Sequence, residues 1–323
     1  MLFLKYNITS VYLIIQRPQF FHHVFCKKLV LCFISMYLYI KFLAKLYKHY
    51  AKFYLMENID YKYLAFSKFH GAGNDFIMVN CFKKHFLMTE SQICLLCDRR
   101  TGIGADGLIL LLPSSEHDFK MTYYNSDGRE GSFCGNGGRC ITAFANNCGI
   151  QCHTHTFEAV DGIHHYNVKK MSEKEFMASI SMKDVDSYKS DDNTLIVDTG
   201  SPHYVTMVHD LKNFDVFNEG AKIRYDKNIS TDGVNVDFME VIDNKYNIRT
   251  YERGVENETL ACGTGTTAAA IAASLWFGGN DIDINTVLCK LNVKFKREGD
   301  KFKDIVLTGP ATFVFDGFYI FAN

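Results

Sequence analysis

From Leu64 onward the chain alternates short apolar runs with glycine-rich breaks. Leu64 to Asn80 reads as strand, Gly-rich turn and strand, with Phe76-Ile-Met-Val79 as the second apolar run. Ser91 to Arg100 has helical spacing, placing Ile93, Leu96 and Cys97 on one face. Gly107 to Leu112 is uniformly apolar and reads as a buried strand. Phe119 to Tyr124 reads as another, ending in the turn Asn125-Ser-Asp-Gly128. Cys134-Gly-Asn-Gly-Gly-Arg-Cys140 is a Gly-rich loop opening a helix over Ile141 to Asn147, which stops near Gly149.

The second half repeats this plan. A strand at Leu195 to Asp198 precedes Gly200-Ser-Pro-His203, and a strand at Ile248 to Tyr251 precedes Glu252-Arg-Gly254. Cys262-Gly-Thr-Gly-Thr-Thr267 opens an Ala-rich helix from Ala268 to Trp276, stopped by Gly278-Gly279, and strands between Val287 and Ile320 complete the chain. The halves align through their cysteines. Tyr124-Asn125, Gly128, Glu130 and Cys134-Gly-x-Gly137 match Tyr251-Glu252, Gly254, Glu256 and Cys262-Gly-x-Gly265. This is the pattern of an internal duplication. It predicts two similar lobes, each presenting one cysteine at a helix N-terminus, the two facing each other across a cleft. Lys183 to Asn193, polar and without periodicity, is the expected connection.

Composition changes the picture at the N-terminus. The chain of 323 residues has a formal net charge of -1 and no overall basic bias toward nucleic acid. Residues 1 to 56 nevertheless hold eight Lys or Arg, no acid and no glycine, leaving 27 basic and 36 acidic residues beyond them. Leu29 to Ile40 is an uncharged apolar run of twelve, short of the roughly 20 residues that a spanning helix needs. It starts too late for a secretory signal, and the segment lacks the Arg and Ser of a transit peptide. Three readings stay open for residues 1 to 55: a membrane anchor, a basic segment lying on a surface, or an extension that arises from a start assigned upstream of Met56. The missing acids and glycines favour the last, and peptide mapping that recovered residues 1 to 55 would refute it. Eleven cysteines, odd in number and scattered, several in apolar runs (Cys81, Cys94, Cys97, Cys289), suit a reducing compartment and hence the cytoplasm.

A helix N-terminus offers unpaired N–H groups and a positive dipole end, so a thiol there is expected to ionise more readily, and the same donors can hold a carboxylate. One such loop is weak evidence; two in matching halves are stronger. A facing pair can invert a carbon centre: a thiolate removes a proton from one face while a thiol delivers one to the other, with neither metal nor oxidation. The developing enolate-like charge then needs N–H donors and exclusion of water. His203 and Glu252 could orient or deprotonate a cysteine. Equally, His203 reads as a satisfied structural histidine and Glu252 as a surface ion pair with Arg253.

At these residues the chain resembles diaminopimelate epimerase. The matching stretches are Phe66-Ser-Lys-Phe-His-Gly-Ala-Gly-Asn-Asp-Phe76, Thr101-Gly-Ile-Gly-Ala-Asp106, Tyr124-Asn-Ser-Asp-Gly128, Cys134-Gly-Asn-Gly-Gly-Arg-Cys140, Gly200-Ser-Pro-His203, Tyr251-Glu-Arg-Gly254 and Ala261-Cys-Gly-Thr-Gly265. The resemblance implies an α/β (α+β) fold of two pseudo-symmetric lobes, each a curved mixed β-sheet wrapped around a central helix. These would span residues 56–183 together with the C-terminal strand 311–323, and residues 184–310. It implies interconversion of LL- and meso-2,6-diaminopimelate for lysine and cell-wall precursor synthesis, no pyridoxal phosphate or other cofactor, and a homodimer. Cys134 and Cys262 would be the acid/base pair, assisted by His203 and Glu252. Asn74, Asn125 and Asn235 would hold substrate. Gly135 with Asn136, and Gly263 with Thr264, would offer donors to the reacting carboxylate. Glu252 and Arg253 would contact substrate, Arg253 gripping the distal carboxylate. Two positions depart from the family pattern: Gly107 where many members have Gln, and Ser201 where many have Asn.

Two rivals remain. A proline or hydroxyproline racemase-like isomerase would use the same two thiols. A thiol-disulfide oxidoreductase would bridge them, and Cys94-Leu-Leu-Cys97 has the corresponding spacing. Cys148, Cys152, His153 and His155 are ligand types in one place, but no second pair completes a metal site, and none is expected. Gly-Lys-Ser/Thr is absent, so the Gly-rich loops do not make a P-loop.

Overall fold

The computed structural model describes residues 63–84 and 86–321. The apolar run Leu29 to Ile40 and the candidate start Met56 lie outside them. The first lobe is built from β1 (Tyr63–Gly71), β2 (Asn74–Asn80), α1 (Glu90–Cys97), β3 (Gly107–Leu112), β4 (Phe119–Asn125), α2 (Gly135–Asn147), β5 (Thr156–Ala159), β6 (Gly162–Lys170) and β7 (Glu175–Ser181). The second follows with β8 (Tyr188–Ser190), β9 (Thr194–Asp198), β10 (Pro202–Met207), α3 (Val216–Arg224), β11 (Asn235–Ile242), β12 (Lys245–Glu252), β13 (Asn257–Thr259), α4 (Gly263–Phe277), β14 (Asp281–Asn285), β15 (Lys290–Glu298) and β16 (Lys301–Ile320).

Strand order makes the duplication explicit. Strands β1 to β7 pair in sequence, β7 pairs with β16, and β16 pairs back with β1, closing a circuit of eight. The second circuit runs β16-β15-β14-β12-β11-β10-β9-β8, and the chain before β8 returns to β16 through a bridge between Val185 and Phe302. Parallel pairs fall at matching places: β2 with β3 and β4 with β5 in one lobe, β10 with β11 and β12 with β14 in the other. Parallel neighbours need a crossover, and helices α1 to α4 lie within these four. Strand β16 serves both circuits. Its first part pairs with β15, whereas Gly309 to Thr312 pair with β7 and Thr312 to Ile320 with β1. Both lobes belong to one compact unit, Tyr63–Asn323.

Each barrel is filled by its crossover helix. Every residue from Gly135 to Ala145 of α2 and from Gly263 to Ser274 of α4 is buried. A helix enclosed on all sides must be apolar or small all round, and Gly, Ala, Thr and Cys keep the cylinder thin enough for eight strands to surround it. The other two helices pack outside. Ile93, Leu96 and Cys97 of α1 cover Leu64, Ile77, Val79 and Leu108, and α3 covers Val236, Phe238 and Tyr251.

Several boundaries differ from the sequence reading, for local reasons. Helix α1 stops at Cys97 because the Asp98 carboxylate accepts the N–H groups of Arg100 and Thr101, turning the chain. Cys94 is exposed rather than packed. The Gly-rich segments after Cys134 and Cys262 are not loops but the first turns of α2 and α4. The stretch Lys183 to Asn193 contains strand β8 and the Val185 bridge. Among the described residues no helix is long and apolar enough to cross a membrane.

Candidate active site

Cys134 and Cys262 occupy the same position in the two lobes. Each is the N-cap of its central helix, with φ -114°, ψ 116° for Cys134 and φ -114°, ψ 122° for Cys262. The two helix ends meet at their first residues. A Cβ on Gly135 would lie 3.4 Å from the Gly263 Cα, and one on Gly263 would lie 3.2 Å from the Gly135 Cα. Glycine at both positions lets the two backbones approach this closely, since a side chain on either would press on the facing helix start.

The surroundings of the two thiols differ. The Cys134 Sγ–H points to Asn74 Oδ1 at 3.6 Å. Asn74 is held with this oxygen forward because its Nδ2 donates to Asp106 at 2.7 Å. Asp106 is fixed in turn by Arg99, which also grips Asp75 with two nitrogens, and Asp75 pairs with the buried Lys68 at 2.8 Å. Asn136 Nδ2 donates to Ala261 O at 2.8 Å, tying the first turn of α2 to the residue before Cys262.

Cys262 faces a chain of polar groups. Its Sγ accepts the Gly265 N–H at 3.4 Å and lies 3.2 Å from Thr264 Oγ1. Thr264 Oγ1 lies 2.8 Å from His203 Nε2, and His203 Nδ1 lies 2.7 Å from Asp237 Oδ2. His203 and Asp237 are both wholly buried. With Asp237 as acceptor, Nδ1 carries the proton and Nε2 offers its lone pair to the Thr264 hydroxyl, whose oxygen can then accept the Cys262 S–H. Asn235 stabilises the same arrangement. Its Oδ1 accepts the Arg253 backbone N–H at 2.8 Å, which turns its Nδ2 toward Ser201 Oγ and His203 Nε2.

The expected drop in thiol pKa at the helix N-terminus is not found, because burial outweighs it. Burial pushes Cys134 up to about 11, and the negative charge of Glu252 adds to this. The N–H groups of Gly137 and Asn136 and the charge of Arg139 pull the other way. Burial, Glu252 and Asp237 together hold Cys262 well above the ordinary thiol value. Burial likewise raises Glu252 itself. Both cysteines are free, and at neutral pH each rests as a thiol.

The sequence-predicted residues therefore fall into two clusters joined at the glycine junction. Asn74, Cys134 and Asn136 form one; His203, Asn235, Arg253, Cys262 and Thr264 form the other. His203 does not touch Cys262 directly; the Thr264 hydroxyl stands between them. Arg253 does not make the surface ion pair with Glu252, since its Nη1 donates to Gly233 O at 3.3 Å and Glu252 is drawn inward. Asn125, exposed at the end of β4, is bonded by its backbone to Arg129 and Gly128 and makes no side-chain hydrogen bond to either cluster. Asp237 escaped the sequence reading. Its signal is a carboxylate amid the apolar run of β11, two positions from Asn235 and so on the same strand face. Gly265 makes room for it, since a Cβ there would lie 2.4 Å from Asp237 Oδ1. Gly107 also has a steric reason: a Cβ there would lie 2.5 Å from Tyr123 Cε2. The Tyr123 ring fills the space a side chain at 107 would take.

With this geometry in hand, the comparisons are specific. The family model described as diaminopimelate epimerase matches residues 66–184 and 195–314. The chain is a member of the diaminopimelate epimerase family. Curated relatives of the family include the diaminopimelate epimerase of Flavobacterium psychrophilum, 48% identical over 77% of this chain and 97% of its own. That of Chlorobaculum tepidum is 40% identical over 76% of this chain and 98% of its own. Among solved structures, a Bacillus anthracis protein of the PhzF family superposes with a TM-score of 0.62 at 14% identity, over 80% of this chain and all of the other. A hydroxyproline epimerase from Agrobacterium vitis superposes at 0.59 and 13% identity, over 81% and 94%. At such identities these two show the shared fold of the family, not a shared substrate. The chain is an isomerase of the epimerase type.

Proposed function

We propose that the protein interconverts LL- and meso-2,6-diaminopimelate by two-base proton transfer between Cys134 and Cys262, without an organic cofactor. The observation that carries this reading is the pair of N-cap thiols with matching backbone angles on helices that meet at Gly135 and Gly263. An α-carbon held over that junction has one thiol on each side and the N–H groups of two helix starts beneath its carboxylate.

For either direction one thiol must first lose its proton. Cys262 can pass its own through Thr264 to His203 Nε2, and Asp237 stabilises the resulting imidazolium. Glu252, whose carboxyl is raised by burial and whose charge acts on both thiols, would serve as the second proton acceptor. The thiolate takes the α-proton while the opposite thiol donates its own, and the reverse substrate reverses the roles. Arg253, whose Nη1 donates to Gly233 O and whose backbone N–H is held by Asn235, would grip the distal carboxylate. Asn74, Asn125 and Asn235 complete the substrate contacts. Action as a homodimer in the cytoplasm belongs to the same reading.

The test is incubation of the reduced protein with LL-diaminopimelate in D2O, followed by proton NMR and chiral analysis. Loss of the α-proton signal with appearance of the meso form supports the proposal. Turnover of proline or hydroxyproline with diaminopimelate untouched would replace the substrate and keep the thiols. The oxidoreductase reading has no support in the Cys94-Cys97 pair, since burial holds Cys97 up at about 12 and Cys94 lies on the exposed side.

A further inference from the structure

Arg139 heads the largest fully buried side chains among the described residues, with no exposed surface. It opens the second turn of α2, five residues after the Cys134 N-cap. Its Nη2 donates to Asn136 Oδ1 at 2.7 Å, its Nη1 to Gly135 O at 3.2 Å and its Nε to Pro310 O at 3.5 Å. All three acceptors are neutral, and among the described residues no carboxylate forms an ion pair with Arg139. Lys68, also hidden, is paired with Asp75. A permanent cation buried among neutral acceptors is expensive to keep, and arginine does not escape by losing its proton. The fold nevertheless makes a place for it: a Cβ on Gly309 would come within 3.1 Å of Arg139 Nε.

Cys140 and Cys289 lie on one side of this cation, and its other side reaches the reacting centre through Cys134 and Asn136. Asn136, its strongest partner, donates to Ala261 O and reaches Asn74 Oδ1, the acceptor of the Cys134 thiol. Gly135, its second partner, abuts Gly263 at the start of α4. The charge of Arg139 also favours the ionised form of Cys134 against the burial that opposes it.

We infer that Arg139 is the built-in counter-charge of the two-thiol site, a fixed buried cation that holds the site's anion in place. That anion is the thiolate before substrate is deprotonated and the enolate-like carboxylate afterwards. The inference rests on the two-thiol reading above. Arg139 touches neither a thiol nor, through its bonded donors, the substrate; it acts across space and by setting the Asn136 amide, and is a positioning residue.

The test reads charge rather than turnover. Alkylation of Cys134 in the reduced full chain is followed by peptide mass spectrometry with anionic iodoacetate and with neutral iodoacetamide, each scaled to glutathione. In the wild type the iodoacetate-to-iodoacetamide ratio is expected to exceed that of glutathione several-fold. Arg139→Met should bring the ratio down to the glutathione value and slow iodoacetamide labelling of Cys134 at about pH 8 to 9 several-fold, since loss of the cation removes one of the groups that favour the thiolate. Arg139→Lys, which keeps a cation but loses the planar fork, should retain most of the wild-type ratio and labelling rate. A wild-type ratio below that of glutathione would overturn the inference without any variant. So would a folded Arg139→Met with wild-type behaviour, or an Arg139→Lys that shifts as far as Met. Failure of the two-thiol reading would show itself separately, as epimerisation by Cys134→Ala.

Discussion

At the scale of single residues, the two thiols are alike in position and unlike in partners. Cys134 donates to an amide oxygen, whereas Cys262 sits at the end of a Thr264-His203-Asp237 relay. The difference predicts separable phenotypes. Cys134→Ala and Cys262→Ala should each abolish epimerisation, and an intact rate in either variant would end the two-base scheme. Thr264→Val keeps volume but removes the relay hydroxyl. It should lower kcat by about 10²- to 10⁴-fold, the usual worth of a positioned proton-transfer group, with KM for diaminopimelate little changed. A rise in KM with kcat unchanged would assign Thr264 to substrate contact instead. Arg253→Lys should cost far more turnover than the same change at an exposed arginine such as Arg297, because an ammonium cannot reproduce bidentate contact with a carboxylate; steady-state kinetics on the two variants decide this.

At the scale of elements, the site is an encounter of two helix starts. Their glycines are set by neighbours rather than by turns. Gly263 has Leu307 Cδ2 at 3.1 Å and the Gly135 backbone at 3.2 and 3.4 Å from an added Cβ. Gly263→Ala should therefore cost about 1 to 3 kcal/mol of stability by overpacking and separate the helix ends enough to lower kcat. Chemical denaturation and the D2O exchange rate measure the two effects. Much at this scale was legible. Two Cys-Gly-x-Gly helix starts, their preceding Tyr-polar strand ends and the buried strand Gly107–Leu112 were readable from spacing alone. Strands β6 and β7 were not: in β6 inward His164 and outward Ile163 break the alternation, and in β7 the exposed Met177 does the same between buried Phe176 and Ala178. Helix α3 was also missed, since only Val216 and Gly220 of its nine residues are buried.

At the scale of the whole molecule, distant segments are held by charge as well as by the barrel ladders. Lys68, Asp75, Arg99 and Asp106 tie β1, β2 and the start of β3 behind Asn74. Burial pushes the Asp75 carboxyl up, but its bonds to Arg99, Lys68 and Asp106 outweigh this and hold it well below the usual carboxylate range. A depressed carboxylate contributes stability that is present above its unfolded value of about 3.9 and lost as pH falls toward its folded one. Stability should therefore drop as pH falls below about 4. Asp75→Asn should flatten that drop while costing about 3 kcal/mol at neutral pH, because Lys68 is left buried without its counter-charge. Urea denaturation at pH 7 and pH 3 compares the two; an equal acid loss in the variant would contradict the assignment.

The sequence by itself determined the duplication, the two cysteines at helix starts, and the order of motifs that marks the diaminopimelate epimerase family. These are local facts, set by spacing along the chain. Tertiary structure decided what the motifs meet. It placed Asp237 behind His203, put Thr264 between His203 and Cys262, buried Arg139 among neutral acceptors, and gave β16 to both barrels. It also reversed the expected direction of the thiol pKa shifts. A helix N-terminus is written in the sequence, but the desolvation that opposes it arises only when two closed sheets surround the helices, from residues far apart in the chain.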